Sequence, residues 1–121
     1  MQFFVDAKSV SVSEDGLVRY TTVARGDGGS ANVSYEAIRC ATREFKIYAY
    51  GKPDGTWSPA RDPQWKPIRT VQMDGHRAIL YASYFCPSRS GVTSAAEAVD
   101  AVRRGGHPKA GDFNANAPIP R

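Results

Sequence analysis

The sequence has 121 residues, of which 41% are hydrophobic and 11% aromatic, and it carries a formal net charge of +4. This length and composition indicate one globular domain and exclude a disordered chain. The charge is too small for a dedicated nucleic-acid-binding protein, whose basic residues gather on one face. No apolar run approaches the roughly 20 residues of a membrane span.

The first half of the chain predicts four β-strands. Residues 2–12 alternate apolar and polar side chains and are rich in β-branched residues, which is typical of a strand. Three further segments repeat the pattern after short connections, at 17–25, 32–40 and 44–51. In the second strand we expect Val18, Tyr20 and Ala24 to face the core.

The fourth strand, E-F-K-I-Y-A-Y-G, predicts a stripe of exposed side chains. Regular alternation places Lys46, Tyr48 and Tyr50 on one face and the apolar residues between them on the other. We therefore expect a tyrosine stripe on the surface of the sheet.

Glu36 is the candidate buried acid of the third strand. Period two places it on the same face as Cys40, so it points inward if that cysteine is buried. A buried carboxylate needs a cation or several hydrogen-bond donors, and Arg19, Arg39 and Arg43 are candidates. We expect a structural ion pair; the alternatives are a general acid or base and a surface residue.

Cys40 and Cys86 are the two cysteines, at the ends of a predicted strand and a predicted helix. An intrachain disulfide and two buried thiols in a cytosolic protein both fit the sequence, and we favour the disulfide. A disulfide indicates an oxidising compartment. Because the sequence has neither a C-x-x-C pair nor a Cys/His cluster, we expect no metal site and no cofactor.

Residues 52–70 form a proline-rich loop that holds both tryptophans. Proline fixes φ and lacks an N–H group, so this segment is neither a central strand nor a helix. We expect its tryptophans to pack over the sheet, where they either close the core or form an aromatic binding surface with Arg61. The predicted partner-binding residues are Trp57, Arg61, Trp65, Tyr48 and Tyr50.

Residues 74–86 predict the first helix. Their apolar side chains recur at helical spacing, and Asp74 is a plausible N-cap. His76 lies in the first turn outside the apolar stripe, so we expect it to be exposed to solvent.

A second helix begins at the capping-box pattern of Ser94 and Glu97 and ends at Gly105. Residues 107–121 are rich in Pro, Asn and Ala and predict a C-terminal tail of low order. The domain is therefore expected to span residues 1–106. Strands followed by helices predict an α+β fold. We expect an antiparallel meander of about four to five strands, with both helices packed on one face and one disulfide.

The sequence contains no catalytic motif. Glu36, Asp62 and His76 are the acid–base candidates, but no spacing links them. A disulfide-bonded cysteine is not a nucleophile, so we expect a protein that is not an enzyme. The segment R-E-F-K-I-Y-A-Y interleaves basic and aromatic residues like a nucleic-acid stacking platform. It lacks the glycines of the RNA-recognition signature, and we expect no nucleic-acid partner.

Five blocks occur in order between residues 3 and 106: N-V-S-Y-E-A-I-R-C, E-F-K-I-Y-A-Y-G, D-G-T-W-S-P-A-R, a helix ending Y-F-C and a short helix ending R-R-G-G. Together they resemble the CNP-one-like family of proteobacterial envelope proteins of unknown function. The resemblance implies that Cys40 and Cys86 are the family's paired cysteines. It also implies a leader peptide, sometimes a lipid anchor, before one domain in the periplasm or on a membrane face.

The beginning of the chain shows no leader pattern. Q-F-F-V-D-A lacks the basic start and the long apolar stretch of a signal peptide, so we expect the sequence to begin after a removed leader. The overall expectation is a periplasmic or outer-membrane-associated module that binds an envelope protein through its Trp/Arg/Pro-rich loop and tyrosine stripe. The alternatives are a small enzyme that uses Glu36, a weak polyanion or nucleic-acid binder, and a structural subunit of an envelope assembly.

Overall fold

The computed structural model describes residues 2–87 and 90–110, which contain one antiparallel sheet. Five strands follow one another across the sheet in chain order: β1 Gln2–Val12, β2 Leu17–Arg25, β3 Ala31–Arg39, β4 Glu44–Gly51 and β5 Trp57–Pro59. A two-residue strand, β6 Lys66–Pro67, pairs with the start of β4. The predicted α+β meander is confirmed.

The first strand is irregular in its middle. Asp6 pairs with Thr21 and Ser11 pairs with Arg19, so four residues of β1 oppose a single residue of β2. The hydroxyl oxygen of Ser9 accepts a hydrogen bond from the backbone N–H of Thr21 at 2.7 Å, which satisfies a donor that the broken ladder leaves open.

The helices pack on one face of the sheet. Val18, Tyr20 and Ile38 of the strands are completely buried there, together with Phe85 from the helical region. Burying an apolar side chain of this size stabilises the fold by about 1.5–3 kcal/mol. The prediction that Val18 and Tyr20 face the core is confirmed, whereas Ala24 is half-buried near the end of its strand.

The first helical region begins earlier than predicted. Helix α1, Val71–Asp74, is capped by Thr70, whose side-chain oxygen accepts a hydrogen bond from the N–H of Met73 at 3.1 Å. The prediction that Asp74 is the N-cap is wrong. Asp74 is buried, and its carboxylate accepts hydrogen bonds from the backbone and the guanidinium of Arg69.

The same region is not one continuous α-helix. Gly75 has φ +60° and separates α1 from α2, His76–Leu80, a conformation that glycine adopts without steric cost. The chain then continues as a π-helical turn, Tyr81–Phe85, in which the N–H of Cys86 donates to the carbonyl of Tyr81 at 3.1 Å. We call residues 81–85 the π turn.

The predicted disulfide is confirmed. Cys40 follows β3, Cys86 follows the π turn, and their Cα atoms are 5.5 Å apart. Both cysteines are almost fully buried. The bond therefore ties the end of the helical region to the end of β3, the middle strand of the sheet.

Helix α3, Ala95–Arg104, confirms the second predicted helix. The Ser94 side chain accepts a hydrogen bond from the N–H of Glu97, and Gly105 ends the helix in the left-handed conformation at φ 77°. The Glu97 carboxylate accepts a hydrogen bond from the N–H of Thr93 at 2.9 Å. In a capping box it would instead bind the N–H of the N-cap residue, Ser94.

Glu97 also holds the residues that follow α3. His107 is buried, and its Nδ1 accepts a hydrogen bond from the N–H of Lys109, so Nε2 carries the ring proton and donates to Glu97 at 2.7 Å. The first residues of the predicted tail are thus packed against the helix, and residues 111–121 lie outside the described residues.

Candidate functional site

Within the described residues, one face of the sheet carries no helix. Directly paired residues of antiparallel strands point to the same face, and the register pairs Thr21 with Tyr35 and Arg19 with Ala37. These pairs alternate with the pair of Tyr20 and Glu36, which faces the helices. We name the uncovered surface the open face; the aromatic and cationic residues that contact one another on it are Arg19, Tyr35, Arg39, Lys46, Tyr48, Trp57 and Trp65.

Cations and aromatic rings alternate across the open face. The guanidinium carbon of Arg39 lies 3.9 Å from the centroid of the Trp65 ring. The Lys46 ammonium lies 5.2 Å from the centroid of Tyr48 and 5.8 Å from that of Trp65. Contacts of this kind contribute about 0.5–1 kcal/mol each at exposed sites, and they hold the long basic side chains flat against the sheet.

Three of the aromatic rings form a continuous row. The ring of Tyr35 lies 5.5 Å from that of Tyr48 and 6.4 Å from that of Trp57, between centroids. The Arg19 guanidinium lies 6.0 Å from the Tyr48 centroid. The open face is therefore a joined aromatic surface with positive charge distributed along it.

A β-bulge in β4 divides the predicted tyrosine stripe between the two faces. Tyr35 pairs with Ala49 and Glu36 pairs with Ile47, so Tyr48 is the extra residue of β4. Tyr50 consequently pairs with Ser34 and points to the face that carries the helices. The prediction that Tyr50 shares a face with Tyr48 is therefore wrong, whereas Lys46 and Tyr48 do lie together.

The predicted partner-binding residues are also divided. Tyr48, Trp57 and Trp65 lie on the open face, and the side chain of Trp57 is 49% exposed. Arg61 lines a shallow depression of about 280 Å³ with Tyr50 on the other side of β4. Sequence reasoning missed Arg19, Tyr35 and Arg39. Arg19 in β2 and Tyr35 and Arg39 in β3 share a face of the sheet with Lys46 in β4. The alternation of residues along each strand is the sequence signal that could have identified them.

Glu36 forms the buried ion pair that its position predicts. It is completely buried, and its two carboxylate oxygens accept hydrogen bonds from Nε and Nη2 of Arg77 at 2.8 and 2.7 Å. The predicted cations, Arg19, Arg39 and Arg43, are not its partners. Arg77 comes from α2 on the helical side, which the strand pattern could not indicate.

Two hydroxyl groups complete the coordination of this carboxylate. Ser34 Oγ donates to it at 2.6 Å and the Tyr20 hydroxyl at 3.3 Å. Burial and the negative charge of Glu36 raise the pKa of Tyr20 well above 10.0, so its hydroxyl stays protonated and donates. Although burial disfavours the charged form of Arg77, its hydrogen bonds to Glu36 and the carboxylate charge raise its pKa. The arrangement is that of a structural ion pair between the sheet and α2.

His76 does not lie in solvent as predicted. It is half-buried, and its ring stacks on that of Phe3 with centroids 4.3 Å apart. Its Nε2 atom is buried and has no hydrogen-bond partner among the described residues. Burial lowers the pKa of His76, and the charge of Arg77 acts in the same direction against the opposing effect of Glu36. The imidazole is therefore neutral at pH 7.

This burial predicts a pH dependence of stability. As the pH falls below 6.5, the ordinary pKa of histidine, the unfolded chain takes up a proton at His76 that the folded protein takes up only at lower pH. The folded state therefore loses stability below this pH. We expect the free energy of unfolding of the His76→Phe variant to fall less between pH 7 and pH 5 than that of the wild type, as measured by urea titration. Parallel pH curves for the two proteins would contradict this assignment.

The acid–base candidates of the sequence are not assembled into one cluster. Asp62 lies in the loop between β5 and β6 and pairs with Lys66 at 3.3 Å. Within residues 2–87 and 90–110, no three His, Cys, Asp or Glu side chains are grouped as metal ligands. None of the helices in these ranges has the length and apolarity needed to cross a bilayer.

Comparison with known proteins gives a relative and a family. The chain is 28% identical over 96 residues to "Cryptic neisserial protein 1" of Neisseria gonorrhoeae, a match that covers 69% of this chain and 47% of that protein. The chain thus spans about half the length of this curated relative. No solved structure matches the chain. The model of the CNP1-like family matches residues 1–103, and the chain therefore belongs to this family, the one that its sequence blocks resemble.

Proposed function

We propose that this protein is a non-enzymatic interaction module of the bacterial cell envelope that binds a protein partner through the open face. The observation that carries the proposal is the row of aromatic rings and cations on the sheet face that the helices leave uncovered. Trp, Tyr and Arg are enriched at interface hot spots, and an aromatic surface of this kind on a small domain is typical of an interaction site.

The charges of the open face define the chemistry of the partner. Arg19, Arg39 and Lys46 lie along the face, and the ion pair of Arg39 with Glu44 at 3.5 Å neutralises only part of this charge. Because the cationic groups lie against the rings, a side chain of the partner has little room to insert between them. A partner surface that combines acidic side chains with apolar or proline residues complements this face best.

The disulfide supports a location in the periplasm or at the outer membrane. Disulfides persist in oxidising compartments and are rare in the cytosol, and the bond between Cys40 and Cys86 is buried in the core. The state of the two sulfurs in protein taken from cells tests this location. We expect no free thiol in unreduced, denatured protein, and two free thiols would contradict it.

The state of Glu36 supports a role other than catalysis. Its carboxylate has four donors and no exposed surface. A general acid or base must reach the proton that it transfers, and this one is enclosed between the sheet and α2.

A weak polyanion binder is the second candidate, because bases stack on aromatic rings beside basic side chains in single-strand-binding proteins. A titration with single-stranded DNA at several salt concentrations separates the two. If the protein binds polyanions, the logarithm of its binding constant for the DNA must fall linearly with the logarithm of the salt concentration. We expect at most weak binding, because the open face has few cations for a backbone-tracking groove.

Site-specific photo-crosslinking tests the proposed interface. A photoreactive amino acid at position 57, an exposed position of the aromatic row on the open face, is expected to crosslink a specific envelope protein in cells. The same group at position 73 is the matched control, since Met73 is 59% exposed but lies in α1 on the helical side. Equal crosslinking of the same protein from both positions would contradict the assignment of the interface.

Affinity measurements with the identified partner then test the individual side chains. We expect Trp57→Ala and Trp65→Ala each to weaken binding by roughly tenfold or more, as truncation of a hot-spot residue does. Tyr50→Ala and Arg61→Ala are the controls, because both residues lie on the other side of β4. Undiminished binding by the two tryptophan variants would remove the open face from the interface.

A further inference from the structure

A half-open cavity of about 350 Å³ lies between the sheet and the helices, away from the open face. Phe3, Phe4 and Val5 of β1 form one wall with Thr22 of β2, and residues of α2, the π turn and α3 form the other. Pockets of roughly 300–1,000 Å³ are the usual size of small-molecule sites.

The irregular backbone of the helical region shapes this cavity. His76 follows the break at Gly75, and Tyr84 belongs to the π turn; both side chains line the cavity. Single π turns occur frequently at functional sites, because the extra residue redirects the side chains around it. Val102 of α3 also contributes to the helical wall.

The electrostatics of the cavity suit a neutral molecule. Among the described residues that line it, none carries a formal charge, since His76 is neutral at pH 7. Glu36 and Arg77, whose charges act on His76, form an ion pair with each other. An ionised ligand would lose its hydration in this cavity without gaining a counter-ion.

Thr22 and His76 each offer a polar group to such a molecule. Ser34 donates its only hydroxyl proton to Glu36, so Thr22 Oγ1, 3.0 Å from Ser34 Oγ, is the donor of their hydrogen bond. The free lone pairs of Thr22 Oγ1 can still accept. His76 Nε2 is buried without a partner, beneath a Phe3 ring that is itself 46% exposed at the edge of the sheet.

We propose that this cavity is a binding site for a small neutral molecule with an apolar ring or chain and one hydroxyl group. A hydroxyl both donates and accepts, so it can satisfy Thr22 and His76, while the apolar part contacts Phe3, Tyr84 and Val102. At roughly 30 Å³ for each water-sized group, the cavity holds about a dozen non-hydrogen atoms. This site is independent of the interface on the open face.

Fluorescence titration with 2-naphthol, a neutral aromatic alcohol of suitable size, tests the proposal on the full chain. We expect saturable binding, at least tenfold weaker binding of 2-naphthoate because it is charged, and weaker binding of naphthalene because it lacks the hydroxyl. Val102→Trp fills the cavity and is expected to abolish binding while the protein remains folded. Val23→Trp, on the open face, is the matched control and is expected to bind like the wild type.

The hydrogen-bonding role of His76 has its own readout. His76→Phe retains a ring against Phe3 but removes both nitrogens, while Thr22 can still accept, so we expect its preference for 2-naphthol over naphthalene to be smaller than that of the wild type. Amide chemical-shift changes on binding are expected at Val5, Thr22 and Val102. Absence of saturable binding, or binding that persists in a folded Val102→Trp variant, would overturn the proposal.

Discussion

Replacing Arg77 with methionine is expected to lower the free energy of unfolding by about 3–5 kcal/mol. The methionine keeps much of the side-chain volume but leaves the Glu36 carboxylate completely buried without its cation. Because a domain of this size has only about 5–15 kcal/mol of net stability, the variant is expected to unfold at much lower urea concentration than the wild type.

Two comparisons isolate the buried charge as the cause. Arg104→Met removes an exposed i,i+4 pair with Asp100 and is expected to cost less than about 1 kcal/mol. The double variant Glu36→Gln/Arg77→Met removes the charge but keeps an acceptor for Tyr20 and Ser34, so it is expected to recover at least half of the loss. An Arg77→Met variant as stable as Arg104→Met would contradict the central role of this pair.

Removing the disulfide has the second largest expected effect. Cys40 and Cys86 close a loop with a sequence separation of 46 residues, for which the chain-entropy treatment gives about 4 kcal/mol of stabilisation. We expect the Cys40→Ala/Cys86→Ala variant to lose about 2–4 kcal/mol, seen as a lower midpoint of urea unfolding. The alanines also remove two buried sulfur atoms from the core, so the loss contains a packing contribution besides that of the crosslink.

The wild type under reducing conditions provides the control for this variant. Both sulfurs are buried, so the reductant must be added to unfolded protein before refolding. Reduced wild type and the double alanine variant are expected to unfold at similar urea concentrations. Superimposable curves for the variant and the oxidised wild type would show that the crosslink contributes little to stability.

Local sequence patterns predicted most of the sheet and one helix well. The strands follow alternation, which depends only on the near neighbours of each residue. Helix α3 carries its own start and stop signals in Ser94 and Gly105. Glu36 was identified as buried because it shares a strand face with Cys40, and both residues are indeed buried. These features depend on short stretches of chain, so the sequence was sufficient.

The rest depends on contacts between distant segments. No local pattern shows that α2 brings Arg77 to Glu36, 41 residues earlier in the chain. A β-bulge adds one residue without changing the appearance of the alternation, so the reversal of face after Tyr48 was invisible. The partners of Asp74 and His76 likewise come from packing, with Arg69 and Phe3 respectively. The candidate site was therefore predicted only in part, through Tyr48, Trp57 and Trp65.

The irregularity of β1 bears on how the chain behaves in a crowded compartment. β1 is an edge strand of the sheet, and its regular pairing with β2 is interrupted between Asp6 and Ser11. At the other margin, β5 has three residues. Neither margin offers a long template for hydrogen bonding to a foreign strand, a device that natural sheets use against aggregation. Self-association by strand addition is thereby disfavoured at both ends of the sheet.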